Sequence, residues 1–219
     1  MSNFTPTPLN IIAKIISGVV HPMLMPVLGT FILINLPSGF TFEFIDQLRF
    51  NLLVIVAVCT LVLPSLVIGI LKFSGAIQSV SLNEQKDRRI PFIFTGISYT
   101  ICYILILRMR IPQGFFPYNM VYPMILGGTI SVVLALLVNN WFKISIHMMG
   151  IGGLAGAIIA ISYKTGLPLM GLIITLLALA GLTGFARLQL NAHTPAQVYA
   201  GFLAGALCNS ALILVLNLL

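Results

Sequence analysis

Apolar residues run in long blocks along this chain, separated by short polar connections, and most blocks match the roughly 20 residues that a membrane-crossing helix needs. Seven spanning helices are predicted, at about 9–36, 50–72, 90–108, 119–139, 145–163, 167–185 and 195–219. The first is interrupted. Pro22 and Pro26 each remove a backbone donor, so this helix is expected to kink or break near His21. No linker, low-complexity tract or repeat divides the chain. It reads as a single domain over residues 1–219, an all-α polytopic membrane helix bundle of six to seven spans. The start, MSNFTPTPLN, is polar and lacks the basic region of a cleaved signal, so the first block is expected to stay as an anchor.

Composition agrees with the pattern. Of 219 residues, 59% are hydrophobic and 7% charged, where soluble domains carry about a quarter charged residues. The net charge of +7, from 11 basic and 4 acidic residues, suits an anionic ligand or anionic lipid head groups. Nucleic acid is not an expected partner, because the cations sit singly at the ends of blocks and the aromatic residues lie inside them. Cys59, Cys102 and Cys208 fall in three different blocks and read as small buried hydrophobes. The acids are Glu43, Asp46, Glu84 and Asp87. None pairs with another near His147 or His193, so a carboxylate-bridged metal centre or a glycosidase-like pair has little material.

The polar connections hold the candidate chemistry. In IQSVSLNEQKDRRIPF, Lys86, Arg88 and Arg89 precede Pro91; taken alone, this is a solvated loop obeying the positive-inside tendency. In NNWFKISIHMMG, Trp141 and Lys143 read as interface anchors, Ser145 as an N-cap and His147 as a first-turn residue. In GFARLQLNAHTPAQVYAGFLAGA, Arg187 and His193 interrupt an apolar run. Thr194 reads as the N-cap, Pro195 as the first helical residue and Gln197 as the third, which completes a capping box. His193 therefore lies at a helix mouth, where outward N–H groups and the helix dipole favour an anion. The plainer readings are a snorkelling Arg187 and a locally satisfied His21.

Counting crossings joins these stretches. If all seven spans form, the three connections lie on one side of the membrane. Gly152 and Gly156 in the fifth span, with Gly201 and Gly205 in the seventh, have the small-xxx-small spacing that lets helices approach. His147 and His193 are then expected to face one another. Two histidines and several cations suit phosphoryl transfer through a covalent intermediate: one imidazole attacks phosphorus, the other protonates the leaving alkoxide, and cations neutralise the equatorial oxygens. A transporter would instead place polar residues at mid-membrane depth.

These residues resemble the type 2 phosphatidic acid phosphatase superfamily of membrane lipid phosphatases. Its third motif reads Ser-Arg, five residues, His, three residues, Asp, then a small hydrophobic residue and Gly. Ala186-Arg187, His193, Gln197, Val198 and Gly201 hold that frame, with Gln197 in the aspartate's place. The second motif, Pro-Ser-Gly-His, is matched by Ser145 and His147; the first, Lys, six residues, Arg-Pro, only loosely by Lys86, Arg89 and Pro91. The resemblance spans about residues 82–206 and implies a phosphatase-like core over about 82–219.

The resemblance implies that His193 is the nucleophile, that His147 is the general acid and that Gln197 orients His193. It gives phosphate binding to Arg187 and Arg89, with Arg88, Lys86 and Ser145 assisting, and requires no metal or other cofactor. It also implies a lipid phosphate or pyrophosphate substrate, phosphatidate and polyprenyl pyrophosphate among the family's examples. A degenerate relative that binds lipid phosphates without hydrolysing them is the alternative, because glutamine cannot supply the charge of aspartate. Orientation is not set by charge. Seven cations on the motif side face Arg49, Arg108, Arg110 and Lys164 on the other, and setting aside Lys86, Arg88, Arg89 and Arg187 reverses the balance to three against four. The resemblance favours a bacterial inner membrane with the site on its outer face.

Overall fold

A computed structural model shows an all-helical chain with nine α-helices among the described residues, which are 7–36, 43–80, 82, 84–109, 111 and 118–216. They are α1 (Pro8–Val19), α2 (Met25–Ile34), α3 (Glu43–Ala57), α4 (Leu63–Phe73), α5 (Arg89–Arg108), α6 (Val121–Val138), α7 (Ile146–Thr165), α8 (Met170–Gln189) and α9 (Pro195–Val215). Together they make seven segments long and apolar enough to cross a membrane, from Pro8–Ile34 to Pro195–Val215. This is a polytopic membrane helix bundle. Arg110 and residues 217–219, where the last helix was expected to end, lie outside the described residues.

The proline break falls where the sequence places it. α1 stops at Val19, His21 caps a single 3-10 turn over Pro22–Leu24, and α2 resumes at Met25. α1 turns a narrow polar and small face inward, with Ala13, Ser17 and Val20 buried, and leaves Leu9, Ile11, Ile12, Ile15 and Val19 exposed. Outward apolar side chains suit lipid, where no water competes for the helix backbone. Inward, Asn10 accepts a hydrogen bond from Gln189 at the end of α8, at 3.1 Å. The second span joins α3 to α4 through a π turn at Val58–Val62. Pro64 follows within the first turn of α4 and lacks the N–H that a regular helix would direct back up the ladder.

α7 and α9 form the tightest pair. A Cβ on Gly205 would lie 2.0 Å from the carbonyl oxygen of Met149, and one on Gly152 2.3 Å from that of Phe202. Gly156 and Gly201 meet Ala206 and Ser145 in the same way. The small-xxx-small positions thus let the two backbones touch. α7 is the most enclosed helix: Met148, Ile151, Leu154, Ile158 and Ile161 are all buried. Because α7 starts at Ile146 and α9 at Pro195, the close pairing brings His147 and the 190–194 turn to the same end of the bundle. Cys59 and Cys102 are buried as expected, while Cys208 is only partly so.

Candidate functional site

The turn from α8 into α9 is built by local rules. Asn191 takes a left-handed φ of 50°, Asn191 N–H donates to Leu188 O and Ala192 N–H to Arg187 O, which closes α8 as a Schellman motif. Thr194 then accepts from the backbone of Gln197, and the Gln197 side chain returns to the Thr194 N–H, forming the expected capping box with Pro195 in the first turn. Arg187 thereby sits in the last turn of one helix and His193 just before the next.

His193 is oriented by two carbonyl oxygens. His193 Nδ1 lies 3.1 Å from Lys143 O and 3.2 Å from Gln197 Oε1. Both are acceptors, and Gln197 Oε1 also receives the Thr194 N–H at 3.1 Å, so its oxygen faces the ring. Nδ1 must therefore carry the proton, which leaves the lone pair on Nε2. Burial above all, then the charges of Arg88 and Arg187, push the His193 pKa down to about 4, against smaller opposing effects of Gln197 and the Lys143 carbonyl. At neutral pH the ring is uncharged.

The segment from Lys143 to Ser145 aligns the other groups. While Lys143 O receives His193, Ile144 O receives Arg88 Nη1 at 3.2 Å, and Ser145 N–H donates to Gln197 O at 3.3 Å. Arg88 also donates through Nε to Leu82 O at 2.9 Å. Its guanidinium, 3% exposed, ties the loop before α5 to the loop before α7. Asp87 supports that loop by accepting from Gln78 N–H at 2.8 Å. Ser145 occupies the N-cap position of α7 but makes no capping hydrogen bond; its Oγ is fully buried and has no protein partner.

A cavity of about 920 Å³ opens at this end of the bundle, lined by Lys14, Ser17, His21, Lys143, His147 and Arg187 among others. Among the described residues, Glu84 is the one acid on its wall. Arg187 is 9% exposed, donates from Nη1 to Ser17 Oγ at 3.2 Å and has an unpartnered Nε. His147 has a buried, unpartnered Nδ1 and meets the ring of His21 edge to face, centroids 5.4 Å apart. His21 Nδ1 accepts from Met23 N–H at 3.4 Å, which leaves Nε2–H as its cavity-side donor. Burial, with Arg88 next, holds the Lys143 ammonium below the ordinary lysine range.

The sequence candidates thus separate. His147 and Arg187 line the cavity; His193, Gln197, Ser145 and Arg88 are not among its lining residues, and His193 reaches it through its contact with Lys143 O. Lys86 and Arg89 are exposed and are not on the cavity wall. Arg88, between them, is the cation that turns inward. Lys14, Ser17, His21 and Lys143 join the cavity although the motif frame did not include them. The signal for α1 was present in its inward spacing of Ala13, Ser17 and Val20. Among the described residues, no group of three or more His, Cys, Asp and Glu side chains is arranged as a metal centre. No family model, curated protein or solved structure matches the chain.

Proposed function

We propose that this membrane protein hydrolyses a lipid phosphate or pyrophosphate through a phosphohistidine on His193. The observation that carries the reading is the pairing of His193 Nδ1 with two carbonyl oxygens beside two buried arginines. It leaves an uncharged Nε2 as nucleophile in a cationic surrounding. In the proposed first step, the Nε2 lone pair forms the N–P bond, the P–O bond to the lipid breaks, and His147 gives its proton to the leaving oxygen. Arg187, assisted by Arg88, neutralises the phosphoryl oxygens. In the second step water attacks phosphorus, its proton passes to His147, and the N–P bond breaks to return neutral His193 and free phosphate. Ser145 Oγ, His147 Nδ1 and Arg187 Nε are buried here without protein partners and have hydrogen-bonding capacity to spare.

A second reading has its own support. Arg88 spends two donors on backbone carbonyls and His193 is not among the residues that line the cavity, as expected of a protein that holds a lipid phosphate without cleaving it. Phosphate release by detergent-purified protein from polyprenyl and glycerolipid phosphates, in EDTA and alongside His193→Ala, separates the two. Release that survives chelation and vanishes in the variant supports hydrolysis. Binding without release by folded wild-type protein supports the binder. We further propose the outer face of a bacterial inner membrane for this end of the bundle. Labelling of Lys143→Cys by an impermeant thiol reagent in intact cells tests that placement, and protection of the thiol overturns it.

A further inference from the structure

Beside the polar cavity lies a second space, about 110 Å³, whose wall is mostly apolar. It runs between the broken first span, α5, α6 and α7, with Met25, Phe92, Tyr99, Met124 and Leu154 among its lining residues. Its wall and that of the phosphate cavity have Pro22, Met23, Ile68, Leu82 and Ile146 in common, so the two spaces meet next to His147. Along α7 the lining extends from Ile146 to Leu154, a depth of about 12 Å at the helical rise. Its volume is less than the roughly 150 Å³ of an apolar cavity that holds a single benzene ring, so the space takes a short stretch of one chain and has no room for a second.

The geometry points to a subsite for one apolar chain of a phosphorylated lipid, entered from the phosphate cavity and leading away from His147 into the bundle. The inference rests on the phosphatase reading for the phosphate end alone. The subsite lies beside the break at His21 and Pro22, and Gly128, Gly150 and Gly153 add no side chain to the wall. A lipid with two chains can place only one of them here. The favoured ligand is therefore a phosphate on a single long alkyl or prenyl chain.

Gly128 gives the test. A Cβ there would meet the Tyr99 ring at 3.6 Å, ordinary contact, so Gly128→Leu fills the groove without forcing the backbone. Gly181, which has nothing within 4 Å, supplies Gly181→Leu as the control. Hexadecyl phosphate with a mid-chain diazirine is photolysed on purified protein and the adducts are mapped; phosphate release is measured with hexadecyl phosphate and with p-nitrophenyl phosphate. Adducts at Met124 or Leu154 are expected in wild type and Gly181→Leu and absent in Gly128→Leu. KM for hexadecyl phosphate should rise about 60-fold, from three displaced methylenes at roughly fourfold each, with p-nitrophenyl phosphate turnover unchanged. Adducts confined to lipid-facing residues such as Leu203, or an unchanged KM, overturn the subsite. If Gly128→Leu fails to fold, Val132→Phe narrows the same wall. Should wild type release no phosphate from either substrate, the enzyme reading fails while the adduct map still decides the groove.

Discussion

Gln197 Oε1 stands 3.2 Å from His193 Nδ1 and 3.1 Å from the Thr194 N–H, so one amide oxygen both caps α9 and fixes the histidine tautomer. The two roles can be separated. Gln197→Ala removes both, but Lys143 O remains on Nδ1, so turnover should fall about 10- to 100-fold, as for other lost orienting partners, rather than the ~10⁴ seen when a serine-protease tautomer is reversed. Thr194→Ala costs about 1 kcal/mol of cap stability and leaves the tautomer alone. Equal kinetic damage from the two variants in steady-state phosphate release would contradict this division.

The depressed pKa of His193 sets a sign for pH effects. With a folded value of about 4 against 6.5 for the free side chain, the unfolded chain binds more protons between those limits. Stability from this group is complete above pH 6.5 and declines as pH falls through about 4. An NMR titration of the imidazole should show a midpoint near the lower value. Gln197→Glu places a carboxylate on Nδ1 and should move that midpoint upward; a midpoint at 6.5 in the wild type would mean that the ring is solvated.

Arg187 uses Nη1 on Ser17 and leaves Nε unpartnered. Replacement by Ala should weaken inorganic phosphate binding by roughly 10- to 150-fold, the worth of a hydrogen bond to a charged group. Lysine cannot reproduce the planar fork and should recover little. Ser17→Ala frees Nη1 and should change binding less than threefold, about 0.65 kcal/mol. Isothermal titration with phosphate checks all three.

His21 meets His147 edge to face, 5.4 Å between centroids, and caps the turn at Met23. If the contact positions His147, His21→Phe keeps a ring there and should retain more of kcat than His21→Asn, which keeps only a side chain able to cap Met23. The split between kcat and KM reads this directly: a positioning role lowers kcat at constant KM, and the reverse order of variants counts against it.

The seam between α7 and α9 carries stability more than chemistry. Gly205→Ala would drive a methyl to 2.0 Å from Met149 O and should cost about 1–3 kcal/mol or more. Gly128→Ala, with 3.6 Å to Tyr99, should be near neutral. Thermal unfolding in detergent distinguishes them.

What the sequence revealed follows from how local each signal is. Spanning helices are set by apolar block length, so the third block, expected at 90–108, appears within Lys86–Arg108. The frame of Arg187, His193 and Gln197 was legible because helix-end chemistry acts within a few residues: Asn191 closes α8 and Thr194 opens α9. Choosing between Arg88 and Arg89 depended on distant partners, the carbonyls of Leu82 and Ile144, which no local pattern encodes. Lys14 and Ser17 were hidden for a similar reason. Their route to the cavity depends on how α1 packs against α8 after the break at His21.

The covalent intermediate is the most direct test of the account. Wild-type protein mixed with a phosphorus-32-labelled lipid phosphate and quenched in base within the first turnover should carry acid-labile, base-stable label on His193, and His193→Ala should carry none. A burst of phosphate release with no label on His193, or label on another residue, would contradict the assignment of Nε2 as the nucleophile.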